Sequence, residues 1–250
     1  MNKEELNNSN VIKNISHDQS EILKWIMDLY NEGEPFECDM TASELKFYTQ
    51  KKGEKYLIPT PQILMDVYPS NDSIIKINPF NKLPLEDNSL SSIVCDLPFV
   101  CTPKTAPSML ENKKGSNVIS KRFSCWYPMQ EGYENIYWWI NECKRVIKDN
   151  GIIVWKMGST ISGGINHLLS EFSAVCASDC GLYIQDSFYL EAKARLISAT
   201  KIKKQQHARK YTSTFWVFKK NDKKNIKANL LQKLKECKEE VFEGKVWPLK

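Results

Sequence analysis

The feature that most limits how this chain can fold is a series of short apolar runs that each end on a polar residue. The runs are PFECDM, QILMDV, IIKIN and SSIVCD, and GIIVWKM follows later in the chain. Strands buried in a parallel sheet have this character, because helices cover both faces of the sheet. The runs therefore predict a buried and mainly parallel sheet.

Amphipathic segments with a helical spacing of apolar residues alternate with these runs. They span residues 20–30, 134–151, 165–181 and 225–242. Gly33 and Pro35 end the first segment, and Gly181 caps the third. Two longer apolar segments, 182–193 and 212–220, are able to pair as an antiparallel hairpin. The alternation predicts an α/β fold, in which ligands bind beyond the carboxyl ends of the strands.

Length and composition favour one main domain. The chain has 250 residues, of which 42% are hydrophobic, and this is enough to bury a sizeable core. We expect a disordered, Asn-rich N-terminal extension over residues 1–15 and the main domain over residues 16–220. Residues 221–250 are expected to form an amphipathic helix and a tail.

The sequence also favours a particular compartment. Its longest apolar runs are far shorter than the roughly 20 residues that cross a bilayer, and its N-terminus lacks the apolar core of a signal peptide. Eight cysteines without a C-x-x-C pair favour free thiols over a disulfide framework. His17 and His207 have no metal-ligand partners at useful spacing, so no metal is predicted. We expect a soluble cytoplasmic protein with no membrane partner.

Positive charge is concentrated in one stretch, which we call the basic segment (residues 192–220). It contains nine Lys or Arg and no Asp or Glu, and since the whole chain has a formal net charge of +5, the remainder carries −4. Such a segment is either a docking site for a polyanion or a solvated, lysine-rich loop.

Polar residues at the predicted strand ends are the first candidates for a site. They are Asp39, Asp66, Asn78, Asp96 and Lys156. Each of them is equally well explained as a cap on a neighbouring helix. Five on the same edge of one sheet nevertheless favour a binding site.

Residues 96–99, Asp-Leu-Pro-Phe, resemble motif IV of the amino-methyltransferases, whose usual form is (Asp/Asn/Ser)-Pro-Pro-(Tyr/Phe/Trp). These enzymes use S-adenosylmethionine to methylate exocyclic amines, which are poor nucleophiles unless acceptors hold their hydrogens. The resemblance implies that the Asp96 carboxylate and the Leu97 carbonyl accept those hydrogens. It also implies that Pro98 stiffens the turn and that Phe99 stacks on a base taken out of its duplex. Leu97 departs from the usual proline.

The surrounding sequence extends the resemblance over residues 16–220. NKLPLEDNSLSSIVCDLPF is similar to the passage from motif III to motif IV, and SHDQSEILKWIMDLYNEGEPFECDM is similar to motif X followed by motif I. PFECDMTASELKFY, ISKRF and QQHARKYTSTFWVFKK resemble small DNA methylase-like proteins of bacteria and their phages. The implied fold is a Rossmann-like, seven-stranded class I methyltransferase sheet with a terminal antiparallel β-hairpin.

Motif I is the weakest part of the resemblance. The family turns through Gly-x-Gly after its first strand, whereas MTASELKFY has no glycine, so an atypical turn or a narrower cofactor pocket is expected. The resemblance implies that S-adenosylmethionine contacts this loop, that an acid binds the ribose and that an amide meets the adenine. The implied residues are Asp39, Thr41, Ala42 and Ser43 for the loop, Asp66 for the ribose and Asn78 for the adenine.

Basic residues around the same edge are the candidates for nucleic-acid contact. They are Lys121, Arg122, Arg195, Lys201, Lys203, Lys204, Arg209 and Lys210. Trp126 and Tyr127 lie close to the first two in sequence, and they fit base stacking and core packing equally well. Trp139 lies on the apolar face of a predicted helix and is expected in the core.

Three functions follow from these patterns. The first is methylation of an exocyclic base amine in DNA, with the aspartate of motif IV favouring N6 of adenine over N4 of cytosine. The second is methylation of an RNA base. The third is a non-catalytic, methyltransferase-like nucleic-acid-binding subunit, suggested by Leu97 and the glycine-free loop. Few residues remain for a separate target-recognition domain of about 100 residues, so a recognition sequence that is short, degenerate or supplied by a partner is expected.

Overall fold

A computed structural model of the chain describes residues 11–101, 126, 128–193, 205–220 and 229–242. The helices in these ranges are α1 (Gln19–Tyr30), α2 (Met129–Val146), α3 (Leu169–Asp179) and α4 (Leu230–Phe242). The strands are β1 (Ile15–Ser16), β2 (Cys38–Asp39), β3 (Ile63–Asp66), β4 (Ile75–Lys76), β5 (Leu90–Asp96), β6 (Ile147–Met157), β7 (Thr160–Ser162), β8 (Ile165–His167), β9 (Leu182–Glu191) and β10 (Thr212–Lys220).

The predicted α/β class is confirmed by the main sheet, whose order is β1-β9-β10-β6-β5-β2-β3-β4. Pairing is parallel from β6 through β5, β2 and β3 to β4. β10 runs antiparallel to both β6 and β9, which gives the predicted terminal hairpin. The short strand β1 adds an eighth strand beside β9. The carboxyl ends of β2, β3, β5 and β6 consequently lie side by side. We call this row of strand ends the edge of the sheet, and the candidate site lies along it.

Two apolar layers cover the faces of this sheet, and β6 contributes to both. Its Trp155 and Met157 join the layer that contains residues of α2 and α3. Its Ile152 and Val154 join the opposite layer, which contains residues of α1. Successive side chains of a strand point to opposite faces, so a strand covered on both sides is apolar throughout. The predicted core position of Trp139 is confirmed, since its side chain is buried in the first of these layers.

Helix α1 begins and ends where its sequence signals lie. Asp18 caps its first turn, and its carboxylate accepts hydrogen bonds from the amides of Ser20 and Glu21. Gly33 has φ of 80°, and its amide donates to the carbonyl of Met27 at 2.9 Å. A left-handed glycine closing the last turn is a common helix ending, and it explains why the helix does not continue.

Other element boundaries differ from the sequence prediction. Helix α2 begins at Met129 instead of residue 134 and ends at Val146, and the next residue already has the extended φ and ψ of −73° and 138°. Residues 148–151, which were predicted to end the helix, belong to β6. A Cβ on Gly151 would lie 2.8 Å from the carbonyl oxygen of Ser91, so this glycine allows close strand contact and is not a helix cap.

A further difference follows the end of β6. Residues 165–167 were predicted as helix but form β8, which pairs antiparallel with β7. Gly163 and Gly164 connect the two strands with φ of 57° and 74°. Two consecutive left-handed residues favour a tight hairpin turn, which explains why helix α3 begins only at Leu169.

The predicted domain limits stay predictions. Residues 1–10 lie outside the described residues, whereas Asn14 accepts a hydrogen bond from the amide of Tyr189 and β1 follows directly. Helix α4 lies within the predicted C-terminal element. None of the helices in the described ranges is long and apolar enough to cross a membrane.

Candidate functional site

Four of the predicted strand-end residues meet at one edge of the sheet. Asp39 ends β2, Asp66 ends β3 and Asp96 ends β5. Asp39 is in register with residue 94 of the neighbouring β5, and Asp96 is in register with Lys156 of β6. Adjacent parallel strands are about 4.8 Å apart, so these side chains cluster within a few strand spacings. Two connections follow this edge: the β2 loop (residues 40–48) and the β5 turn (residues 97–101).

Asp39 is buried and organises the β2 loop. Only 1% of the residue's surface is exposed to solvent. Its carboxylate accepts bonds from the amide of Thr41 at 2.7 Å and from the hydroxyls of Thr41 at 3.2 Å and Tyr48 at 2.6 Å. Burial raises the pKa of the Asp39 carboxyl to about 7. Both carboxylate oxygens are therefore engaged within the protein in this arrangement.

Thr41 connects the β2 loop to the end of β5. Its hydroxyl oxygen donates toward Asp39 and accepts a hydrogen bond from the amide of Asp96 at 2.8 Å. One side chain thus joins the loop that was predicted to bind cofactor and the residue that was predicted to act on substrate. No sequence pattern predicts this link, because a threonine in a polar loop is common.

The glycine-free β2 loop nevertheless adopts the backbone conformation that glycine favours. Ser43 and Leu45 have φ of 50° and 57°. The left-handed region costs a residue with a Cβ about 1–2 kcal/mol. Hydrogen bonds compensate: the amide of Ser43 donates to Asp66 at 2.7 Å, the hydroxyl of Ser70 donates to the carbonyl of Ser43 at 2.6 Å, and the amide of Leu45 donates to the carbonyl of Ala42 at 2.8 Å. The expected atypical turn is therefore held by one backbone hydrogen bond and by two that involve the side chains of Asp66 and Ser70.

The carboxylate of Asp66 accepts hydrogen bonds from two loops. One carboxylate oxygen accepts from the amide of Ser43, and the other accepts from the amide of Tyr68 at 2.6 Å. The acid is held rigidly at the end of β3.

Asp96 forms an ion pair with Lys156. The ammonium of Lys156 lies 2.9 Å from a carboxylate oxygen of Asp96, and the two side chains are 11% and 25% exposed, respectively. The same ammonium lies 4.9 Å from the ring centre of Phe47, in the β2 loop, and 5.6 Å from that of Phe215. Both distances are within the range of a cation–π contact. A charged pair therefore sits at the centre of the edge, flanked by two aromatic rings.

Packing holds the β5 turn. The side chain of Leu97 is buried in the core layer of α2 and α3, which explains how an apolar residue is accommodated at this position of the turn. Trp126 is also fully buried, and its indole N–H donates to the carbonyl of Pro98. Of its two interpretations, core packing is the one that applies; Tyr127 lies outside the described residues. The ring of Phe99 lies against Gly158, where an added Cβ would come within 3.0 Å of it.

Asn78 lies farther along the edge, two residues after β4. Its side chain is exposed and lines a cavity of about 210 Å³ together with Lys76, Lys82 and Leu83. Three strand spacings separate β4 from β5, which corresponds to roughly 14 Å. The structure therefore brings Asp39, Asp66 and Asp96 close together and leaves Asn78 at the periphery.

The described residues of the basic segment lie at both ends of the strands, some at the edge of Asp96 and others at the opposite edge. The amide of Ala192 donates to the carbonyl of Tyr211 at 2.8 Å, and this bond joins the end of β9 to the start of β10 at the edge of Asp96. Arg209 and Lys210 precede β10 there, and Arg209 is exposed. Lys220 ends β10 at the opposite edge and pairs with Asp149 at 3.5 Å. The other predicted nucleic-acid contacts lie outside the described residues: Lys121, Arg122, Arg195, Lys201, Lys203 and Lys204.

Sequence reasoning missed two residues of this site. Tyr48 holds Asp39 from nine positions away, and Phe47 packs against the ammonium of Lys156. Their only signal was an aromatic pair at the end of a polar loop. Within the part of the chain that the structure describes, no group of three or more His, Cys, Asp or Glu side chains is arranged to hold a metal ion.

Comparisons with known proteins give distant structural likenesses. No protein-family model matches the chain, and no curated protein matches it. A solved structure of the cytosine-N4-specific PvuII DNA methyltransferase is 17% identical over 55% of this chain and 45% of its own, with a TM-score of 0.37. The present chain thus spans less than half of that enzyme's length.

Two further solved structures are similar over more of the chain. A protein from Sulfolobus solfataricus, assigned as a type 11 methyltransferase, is 13% identical over 83% of this chain and 96% of its own, with a TM-score of 0.39. One from Thermoplasma acidophilum, assigned as a methyltransferase, is 10% identical over 84% of this chain and 67% of its own, with a TM-score of 0.30.

Proposed function

We propose that this protein is an S-adenosylmethionine-dependent methyltransferase that acts on an exocyclic base amine in DNA, with N6 of adenine as its target. One observation carries the proposal: Asp96-Leu97-Pro98-Phe99 begins at the last residue of the central strand β5, and the amide of Asp96 is hydrogen-bonded to the loop after β2. An acceptor for an amine and a loop for a cofactor are thereby joined at the carboxyl edge of an α/β sheet, where such folds bind their ligands.

The residues of the edge fit the cofactor. The β2 loop makes a left-handed turn at Ser43 beside an acid at the end of β3, and a cavity adjoins Asn78. We assign Thr41, Ala42 and Ser43 to the methionine part, Asp66 to the ribose hydroxyls and Asn78 to the adenine. Asp39 contributes by shaping the loop. When bound, S-adenosylmethionine would supply an electrophilic methyl group.

The residues of motif IV then act on the base. The Asp96 carboxylate and the Leu97 carbonyl accept the two amine hydrogens, which raises electron density on the nitrogen as its new bond forms. Pro98 and the buried side chain of Leu97 fix the direction of that carbonyl. Phe99 stacks on the base after it leaves the duplex.

Calorimetry and product analysis test this proposal directly. S-adenosylmethionine should bind with micromolar affinity, and incubation with adenine-rich DNA should give N6-methyladenine by mass spectrometry of the digested nucleosides. Asp96→Ala should lower turnover by about 10²-fold or more with nearly unchanged cofactor affinity, because the lost bonds belong to the transition state. Methylation of RNA alone, or of cytosine, would correct the substrate. Absence of cofactor binding would favour the non-catalytic nucleic-acid-binding subunit.

The basic residues at the same edge give a second test. Arg209 and Lys210 precede β10 at this edge, and we propose that they contact the phosphate backbone of the substrate. Their replacement by Gln should then reduce the slope of log affinity against log salt by up to about two units. Lys148 and Lys219 lie toward the opposite edge of the sheet and serve as the matched control pair. An equal slope in both double variants would show that the basic segment is a solvated, lysine-rich loop and not a docking site for a polyanion. DNA binding is measured by fluorescence anisotropy at several salt concentrations.

A further inference from the structure

Lys156 is a strand-end residue without a role in the function proposed so far. It lies on β6, directly across from Asp96 on β5. Its side chain is only 11% exposed, although it carries a positive charge. Removing an ammonium from water costs several kcal/mol unless the environment compensates for it. A largely enclosed lysine at this place therefore needs an explanation.

The ammonium of Lys156 contacts the end of β5, the β2 loop and the neighbouring strand β10. The ammonium donates to Asp96 at 2.9 Å and lies against the ring of Phe47, which belongs to the β2 loop. Phe215, on the neighbouring β10, supplies the second ring. Among the ion pairs of the described residues, the only carboxylate within 4.0 Å of this ammonium is that of Asp96.

Asp96 is thus held at two points. The hydroxyl of Thr41 fixes its backbone amide at 2.8 Å, and the ammonium of Lys156 holds one oxygen of its carboxylate. A carboxylate at the end of a strand has freedom about two side-chain bonds, and a charge-assisted bond to one oxygen removes much of that freedom. The other oxygen then keeps one direction relative to the β5 turn.

We propose that Lys156 is a positioning residue for Asp96: it occupies one carboxylate oxygen and directs the other toward the amine of the substrate. This inference rests on the proposed function, because it assigns Lys156 to the same site. It differs from a purely stabilising ion pair, which would affect unfolding but not the rate of methyl transfer. It also differs from cofactor binding, which would change cofactor affinity first.

Three variants separate these roles. Lys156→Met removes the charge and retains most of the apolar stem, Lys156→Gln retains hydrogen-bond donors without charge, and Lys156→Arg retains the charge. The matched control is Lys148→Met, because Lys148 is an exposed lysine at the other end of the same strand. Each variant is measured for the single-turnover rate, KM for DNA, cofactor affinity by calorimetry and thermal unfolding.

The expected result is a loss confined to the chemical step. Lys156→Met should lower the single-turnover rate by about 10 to 10²-fold, as small misplacements of reacting groups do, with cofactor affinity and KM within about threefold. Lys156→Arg should recover at least part of the loss, and Lys148→Met should match the wild type. If Lys156→Met does not fold, the contrast between Lys156→Arg and Lys156→Gln carries the same test.

Two results would overturn the inference. An unchanged single-turnover rate in Lys156→Met and Lys156→Gln would reduce Lys156 to a stabilising residue, and a loss mainly in cofactor affinity would assign it to the cofactor. Failure of the proposed function looks different, since the wild-type protein itself would then transfer no methyl group. In that case, the positioning role is rejected together with the proposed function. The unfolding free energies of Lys156→Met, Asp96→Asn and the double variant still measure the contribution of the ion pair to stability.

Discussion

The β2 loop and the β5 turn line the same edge but are stabilised differently. Each differs at one feature from the amino-methyltransferase motif that its sequence resembles. The loop lacks glycine and is held by polar bonds that converge on Asp39, Thr41 and Asp66. The turn lacks its first proline and is held by burial of Leu97 and by a hydrogen bond from Trp126. Hydrogen bonds therefore compensate for the missing glycine of the loop, and packing compensates for the missing proline of the turn. The loop should therefore respond to pH and to loss of hydroxyls, whereas the turn should respond to side-chain volume.

The largest stability effect is expected in the β5 turn. Leu97→Ala removes most of a fully buried side chain and should lower the free energy of unfolding by about 2–5 kcal/mol. Leu57→Ala is the control, because Leu57 is 62% exposed. Urea titrations of both variants measure the difference. A loss that depends strongly on pH would contradict the apolar origin of the stability of this turn.

A smaller loss is expected when the bridge between the two regions is removed. Thr41→Val keeps the shape but leaves the amide of Asp96 without its acceptor, which should cost about 1–3 kcal/mol of unfolding free energy. Thr49→Val is the matched control, since Thr49 is exposed and its hydroxyl donates to the carbonyl of Leu45, four residues earlier in the chain. Equal effects of the two substitutions would show that the bridge contributes nothing specific.

The β2 loop should also give the protein a distinctive pH dependence. Burial raises the pKa of Asp39 from 3.8 to about 7, so between these values the folded protein holds a proton that the unfolded chain has lost. Stability from this group is complete below the unfolded pKa, falls as the pH rises through the window, and levels off above about pH 7. The slope is at most about 1.4 kcal/mol per pH unit.

Asp39→Asn isolates this contribution, because asparagine keeps bonding capacity toward Thr41 and Tyr48 but does not titrate. Unfolding free energies of the two proteins should be measured from pH 4.5 to 8. The wild-type value minus the variant value should decline up to about pH 7 and then stay constant. A difference that is flat over the whole range would remove Asp39 as the source of the pH response.

The smallest effect is expected at the left-handed turn. Ser43→Gly relieves the unfavourable φ of 50° but adds flexibility to the unfolded chain, so a gain of at most about 1 kcal/mol is expected. Glu44→Gly is the neighbouring control, because Glu44 is not among the residues with positive φ. It should destabilise the protein. Thermal unfolding checks the sign, and destabilisation by both glycines would mean that the side chain of Ser43 contributes more than its strain costs.

Sequence patterns were sufficient to predict which strands form the site and which residues lie at their carboxyl ends. The alternation of buried runs and helices placed Asp39, Asp66, Asp96 and Lys156 on one edge, because parallel strands bring their carboxyl ends together. The hairpin of β9 and β10 followed from two long apolar segments separated by a polar stretch.

The parts that could not be predicted depend on contacts distant in the chain. The bond of Trp126 to Pro98 spans 28 residues, and that of Thr41 to Asp96 spans 55. The left-handed turns at Ser43 and Leu45 contradict local preference and exist because Asp66 and other partners stabilise them. The early start of β6 had the same origin, since Gly151 serves strand contact where the local pattern suggested a helix end.

The bond between Thr41 and Asp96 also makes one backbone amide a reporter of the whole edge. An amide proton that bonds to a side-chain hydroxyl exchanges with deuterated solvent only when that bond opens. The exchange rate of the Asp96 amide therefore records how often the β2 loop separates from β5 in the native protein. A molecule that binds across both regions slows this exchange, whereas one that binds at the periphery beside Asn78 leaves it unchanged, so a single NMR signal locates a ligand along the edge.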